Sequence, residues 1–178
     1  DVKIKGRIGK KIDTFIQERV LSNFAKEEIF PESEKAFANP IDDEYETIGE
    51  WRGEFWGKLA ISASRVQNYT QDAKLKKYLK QTAYNVMSYQ HDDGYIGSYK
   101  NKLFLKVDDP IANRAKFGWA CPWCWNLWCR KYTLWGLLSI YETNNDPMIL
   151  ESARRSADQY IDMLHDNKIK ICDTGTFV

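Results

Sequence analysis

Two short stretches set carboxylates beside aromatic rings. In Glu50-Trp51-Arg52-Gly53-Glu54-Phe55-Trp56-Gly57 the acids are Glu50 and Glu54, and in Gln90-His91-Asp92-Asp93-Gly94-Tyr95 they are Asp92 and Asp93. Hydrolysis of a glycosidic bond generally needs one carboxyl group as acid and a second across the scissile bond. Tryptophan and tyrosine faces nearby suit a flat, hydroxyl-bearing ligand such as a sugar ring. Glu54 and Asp93 are therefore the candidate catalytic pair. Trp51, Trp56, His91, Asp92, Tyr95, Trp128, Arg130, Lys131 and Tyr132 are the candidate substrate-binding residues.

Each candidate has a plainer explanation. Asp92-Asp93-Gly94 has the chemistry of a turn that closes a helix, where Asp and Gly serve the backbone. Glu54 can cap its helix or pair with Arg52 or Lys58, and any single tryptophan can be a wedge between packed helices. His91 can be solvated or structural. Arg130-Lys131 is harder to set aside, because two cations at the start of an apolar helix are costly unless they meet a partner or a ligand. An ion pair with Glu50 or Glu54 and a contact to substrate are both open.

The cysteines point away from metal and redox chemistry. Cys121-Pro-Trp-Cys124 has the spacing of a dithiol motif, but such motifs act at a strand-to-helix junction and no strand pattern is present. Cys121, Cys124 and Cys129 do not form paired knuckles, and zinc would need Cys172 or a histidine as fourth ligand. Buried thiols, with no metal and no cofactor held by this chain, are the expectation.

These residues must be positioned by helices. Residues 117–141 read FGWACPWCWNLWCRKYTLWGLLSIY, and Leu134, Trp135, Leu137, Leu138 and Ile140 around Gly136 predict a fully buried inner helix. Ile8, Ile12, Phe15, Ile16, Val20 and Phe24 predict one amphipathic first helix, closed by Pro31. Residues 32–49 are acidic and turn-rich and read as a long connection. Predicted helices therefore span 8–24, 54–69, 73–89, 126–142 and 147–164, with 54–69 and 126–142 the most buried.

The pattern repeats. Asp72 followed by Leu75, Leu79, Ala83 and Val86 returns as Asp146 followed by Ile149, Ala153, Ala157 and Tyr160, a period of about 74 residues. Both aspartates are N-cap candidates, the second followed by a proline. Helical hairpins that repeat imply stacking into a solenoid or closed ring. Inner-to-outer connections are short and outer-to-inner ones long, so the long-loop end is the expected site face. There Trp51, Glu54, Asp93, Tyr95, Trp128 and Lys131 should converge.

Composition narrows the classes. Of 178 residues, 26 are Lys or Arg and 25 Asp or Glu, a net charge of +1 with no long basic cluster, which argues against nucleic acid. No apolar run approaches the roughly 20 residues of a membrane helix. One all-α domain over 1–178 is expected, periplasmic or secreted if a leader has been removed.

Three motifs in order then identify a family. Trp51-Arg-Gly-Glu-Phe-Trp-Gly-Lys58, Gln90-His-Asp-Asp-Gly-Tyr-Ile-Gly-Ser-Tyr99 and Trp128-Cys-Arg-Lys-Tyr-Thr-Leu-Trp-Gly-Leu-Leu138 resemble the N-terminal part of the β-L-arabinofuranosidase-like glycosidases, glycoside hydrolase family 127, over about Gly6 to Leu164. The resemblance implies an (α/α)6 toroid that hydrolyses glycosidic bonds of plant-type polysaccharides. It also implies, for longer family members, a zinc-binding cysteine cluster with a nucleophilic cysteine and a glutamate beyond the end of this sequence. Cys129-Arg130 stands where those members have a His-Glu pair. The expectation is a domain that binds carbohydrate but lacks the full catalytic set. Its open apolar flank over 126–142 and 147–164 would be covered by a second copy or a missing C-terminal half. Other readings are a toroid enzyme of another chemistry, such as a sugar epimerase or unsaturated uronyl hydrolase, and a non-catalytic carbohydrate-binding scaffold.

Overall fold

The computed structural model describes residues 3–23, 25–41, 52–103, 105 and 125–171. The fold is all-α. In chain order it comprises α1 (Gly6–Phe15), π-helical turns at Ile16–Val20 and Ala25–Ile29, α2 (Phe30–Ala38), α3 (Arg52–Thr70), α4 (Ala73–Met87), α5 (Asn126–Asn144) and α6 (Pro147–Asp166). Among the described residues the β structure is an isolated parallel bridge between Ile41 and Tyr99. No described helix is long and apolar enough to cross a membrane.

The two hairpins, α3–α4 and α5–α6, are built alike. Each inner helix ends on a residue with positive φ, Gln71 at 57° and Asn145 at 54°. An aspartate N-cap follows at once, so the chain reverses within two residues. Asp72 accepts from the Lys74 and Leu75 amides at 2.7 and 2.9 Å, and Asp146 from the Met148 amide at 3.0 Å. Pro147 sits in the first turn of α6, where a missing N–H costs nothing.

The inner helices lie against each other along a seam of small residues. A Cβ at Gly57 would stand 2.1 Å from the Tyr132 carbonyl oxygen, and one at Gly136 would stand 3.0 Å from the Gly57 Cα. Only glycine allows backbones that close. Gly53 lies against Cys129, Gly57 against Tyr132, and Ala60 against Gly136, so α3 and α5 run parallel with their N-termini at one end. The core behind the seam holds Trp56, Ala60, Ala63, Leu75, Leu79, Val86, Leu137, Ile140 and Ile149.

Two expectations fail at the start of the chain. Residues 8–24 do not form one helix with Ile8 and Phe15 inside: Ile8 is 68% exposed and Phe15 49%. The buried stripe is Gly9, Ile16 and Val20, with Ile12 half-buried. It is set by Gly9, whose Cβ would meet the Ile4 carbonyl oxygen at 2.2 Å. Close passage of the preceding chain turns Gly9 inward and Ile8 outward. Residues 32–49 are not all connection either, since α2 buries Phe30, Ser33, Ala36 and Phe37. Pro31 opens that helix rather than closing the region, because the first turn tolerates proline.

Candidate functional site

Each inner helix leaves one stripe open to solvent. On α3 the stripe runs through the exposed Phe55, Lys58, Ser62 and Arg65, and on α5 through Lys131, Trp135, Leu138 and Glu142. With about 100° per residue, the α3 stripe lies opposite Trp56, Ala60 and Ala63, which face the core. Because α3 and α5 are parallel, Glu54 and Lys131 fall at the same end of the layer.

A row of rings runs along the α5 stripe. Trp125 meets Trp128 edge-on at 6.1 Å, Trp128 meets Tyr132 at 5.3 Å, and Tyr132 stacks on Trp135 at 6.1 Å with planes 13° apart. Trp135 is 48% exposed, so the helix is not buried all round as its apolar sequence suggests. Among the described elements the helix packs on α3, α4 and α6, and Trp135 lies outside those contacts.

Cations sit on the rings. Lys131 Nζ lies 3.4 Å from the Trp128 ring centre and 4.7 Å from that of Tyr132, while Lys58 Nζ lies 5.0 Å from Tyr132. Lys58 also forms an ion pair with the buried Glu54 carboxylate. Its hydrogen bond to Glu54 raises the Lys58 pKa, against an opposing effect of burial. Lys131 is shifted the other way: burial lowers its pKa, the Glu54 charge opposes, and Lys58 adds to the lowering. No described carboxylate is within ion-pair reach of Lys131. The indole N–H of Trp128 is buried without an acceptor.

The second acidic stretch folds into a different place. Asp93 accepts from the Tyr95 amide at 3.0 Å, Gly94 takes φ +94°, and Arg155 on α6 donates to the carbonyls of His91 and Asp92 at 3.0 and 2.9 Å. A Cβ at Gly94 would stand 2.4 Å from the Arg155 carbonyl oxygen, so this turn is pressed onto the outer helix. Asp93 pairs with Lys102. Burial pushes its carboxyl up, but Lys102, the Tyr95 amide and His91 together outweigh that and hold it below its ordinary value. It is a turn anion with no described contact to Glu54.

Arg130 leaves α5 on that outer side. It is 3% exposed, donates to Gln159 Oε1 and to Met163 Sδ at 3.4 Å, and lies between the rings of Tyr95 at 5.0 Å and Tyr160 at 4.5 Å. Its Nε has no partner, and burial lowers its pKa. Tyr95 is itself 1% exposed, with its hydroxyl donating to the Tyr99 carbonyl at 2.6 Å.

Of the residues expected to converge, the structure therefore brings Glu54, Trp128 and Lys131 together, joined by the binding candidate Tyr132. It places Asp93, Tyr95 and Arg130, with the exposed His91 and Asp92, on the outer side. Trp56 is fully buried, and its indole N–H donates to Thr82 Oγ1 at 3.0 Å, whose hydroxyl donates on to Glu34. It wedges α3 against α4 and offers no surface to a ligand. Trp51 and Glu50 lie outside the described residues, as do Cys121, Cys124 and Cys172. Lys58, Trp125 and Trp135 were not among the sequence candidates. The spacing of rings at 125, 128, 132 and 135 was the signal, because those intervals keep one face of a helix.

Residues 10–173 match the family model described as beta-L-arabinofuranosidase, GH127 catalytic domain. The chain belongs to this family. The match spans both described hairpins of this chain and the row of rings on α5. Neither a curated protein nor a solved structure matches the chain. Among the described residues no three His, Cys, Asp or Glu side chains gather to hold a metal ion. The described cysteine, Cys129, is buried beneath the seam.

Proposed function

We propose that this GH127 domain binds arabinofuranoside-like sugars of plant-type polysaccharides on the open stripe of α3 and α5, in the service of glycosidic bond hydrolysis. One observation carries the reading: Trp128, Tyr132 and Trp135 form a partly exposed aromatic row beside the ion pair of buried Glu54 with exposed Lys58. Aromatic faces take the apolar face of a sugar ring, while the charged pair and Lys131 meet its hydroxyl groups. Glu54, in an ion pair with Lys58, is the carboxylate offered to a bound sugar. Asp93, a turn anion on the outer side, is not its partner in this scheme.

The test is titration calorimetry of the purified chain with arabino-oligosaccharides, beside turnover assays on arabinofuranosides. Binding that falls about tenfold or more in Trp135→Ala, for the loss of a stacking face, is the expected result. Binding unaffected by Trp135→Ala would move the site elsewhere. Glu54→Gln separates roles, since loss of turnover with retained binding would make Glu54 catalytic.

A further inference from the structure

The open stripe is rich in donors that lack acceptors. Lys58 is neutralised by Glu54, but Lys131 rests on the faces of Trp128 and Tyr132 with no described carboxylate in reach. A ring face attracts the charge yet offers no lone pair, so the three ammonium N–H groups still need acceptors. The Trp128 indole N–H beside it is buried and unaccepted. Arg65, further along the same stripe of α3, is exposed and forms no described ion pair. Among the described residues two cations, Lys58 and Lys131, lie on these rings, and Glu54 pairs with the first.

We propose that the sugar taken by this face carries a carboxylate, as a uronic-acid residue does, and that Lys131 is its counter-ion. The inference rests on the sugar-binding reading above and specifies its substrate class. Trp128 and Tyr132 hold the ammonium of this exposed residue over their faces, and the rings beneath limit its approach directions. A carboxylate of the ligand would complete charge-assisted hydrogen bonds that neutral hydroxyl groups make less strongly. Burial and the nearby Lys58 both disfavour the unpaired charge, and an incoming anion relieves both.

The probes are a uronate-bearing pectic oligosaccharide and the same oligosaccharide after carboxyl reduction, titrated calorimetrically into the 178-residue chain. The uronate form should bind about tenfold or more tightly, for one charge-assisted contact, and its advantage should shrink with added salt. In Lys131→Met the ratio of the two affinities should fall to near one, whereas Lys131→Arg should keep most of it. Equal binding of both probes by the unaltered chain, or a ratio that survives Lys131→Met, overturns the inference and leaves neutral sugar binding intact. Failure of both probes to bind a chain that retains its helical circular dichroism overturns the inference and the sugar-binding reading together. A dimer that dissociates in Trp135→Ala, with no glycan bound, assigns the stripe to a second copy and overturns it as well.

Discussion

Arg130 and Lys131 are consecutive cations on one turn of one helix, and they live in different solvents. Arg130 enters a closed cage of Tyr95, Tyr160, Gln159 and Met163, while Lys131 stands at the edge of water on Trp128. A step of one residue turns about 100° around a helix, enough to pass from the outer hairpin to the open stripe. Charge alone therefore says little about role. On the outer side a cation fastens α5 to α6 and to the ring of Tyr95, and on the open side it rests on aromatic faces.

Substitutions can break that contrast, and the largest effect is expected where backbone meets backbone behind both residues. Gly57→Ala drives a methyl group into the Tyr132 carbonyl, and urea unfolding should show a loss of about 3 kcal/mol. The next effect tests the cage. Arg130→Ala should lose roughly 2–4 kcal/mol through a cavity between two tyrosines and an unsatisfied Gln159. Arg130→Met, which keeps volume and removes a charge buried without a described carboxylate, should recover most of it. If Met is as damaging as Ala, the guanidinium is needed for its hydrogen bonds and not for its bulk.

A smaller effect compares the two caps. Asp146 is tied to α4 by Lys80 at 2.7 Å and by the Tyr84 hydroxyl at 3.1 Å, while the described bonds of the Asp72 side chain are to the first turn of its own helix. Asp146→Ala should lose about 1–2 kcal/mol, and Asp72→Ala about 1 kcal/mol. Lys80, then the Met148 amide and Tyr84, hold the Asp146 carboxyl below its ordinary value despite burial. A carboxyl with a lowered folded-state pKa contributes stability that is present above its unfolded pKa and lost as pH falls through the folded one. Thermal melts should thus show the Asp146→Asn deficit at neutral pH shrinking in acid. Last comes the open side itself, where Lys131→Met should change stability by no more than about 0.5 kcal/mol. A larger loss would make Lys131 a structural residue like its neighbour.

Much of this molecule could be read before any coordinates. Asp72 and Asp146-Pro147 announced two helix starts, the recurrence of the Asp-anchored pattern announced paired hairpins, and three motifs announced the family. The stretch around Pro31 was misread because proline breaks a helix interior but suits a first turn, and sequence does not say which of the two it occupies. The site was legible in part. Glu54, Trp128, Lys131 and Tyr132 share a motif spacing that keeps them on neighbouring faces, whereas Asp93 resembled a catalytic acid only because Asp-Gly turns and acid pairs use the same residue types.

The sequence by itself determined the helices, their caps, their repeat and their family, since these depend on contacts within a few residues or on motifs carried whole. Tertiary structure decided which side of each helix meets core, neighbour or water. Trp56 became a sealed wedge, hydrogen-bonded to Thr82, and Trp135 an exposed platform, though each is followed by a glycine. Helical periodicity fixes the angle between two side chains on one helix but not the direction in which either points. That direction is set by the glycine seam between α3 and α5, where pairs far apart in the chain come within touching distance.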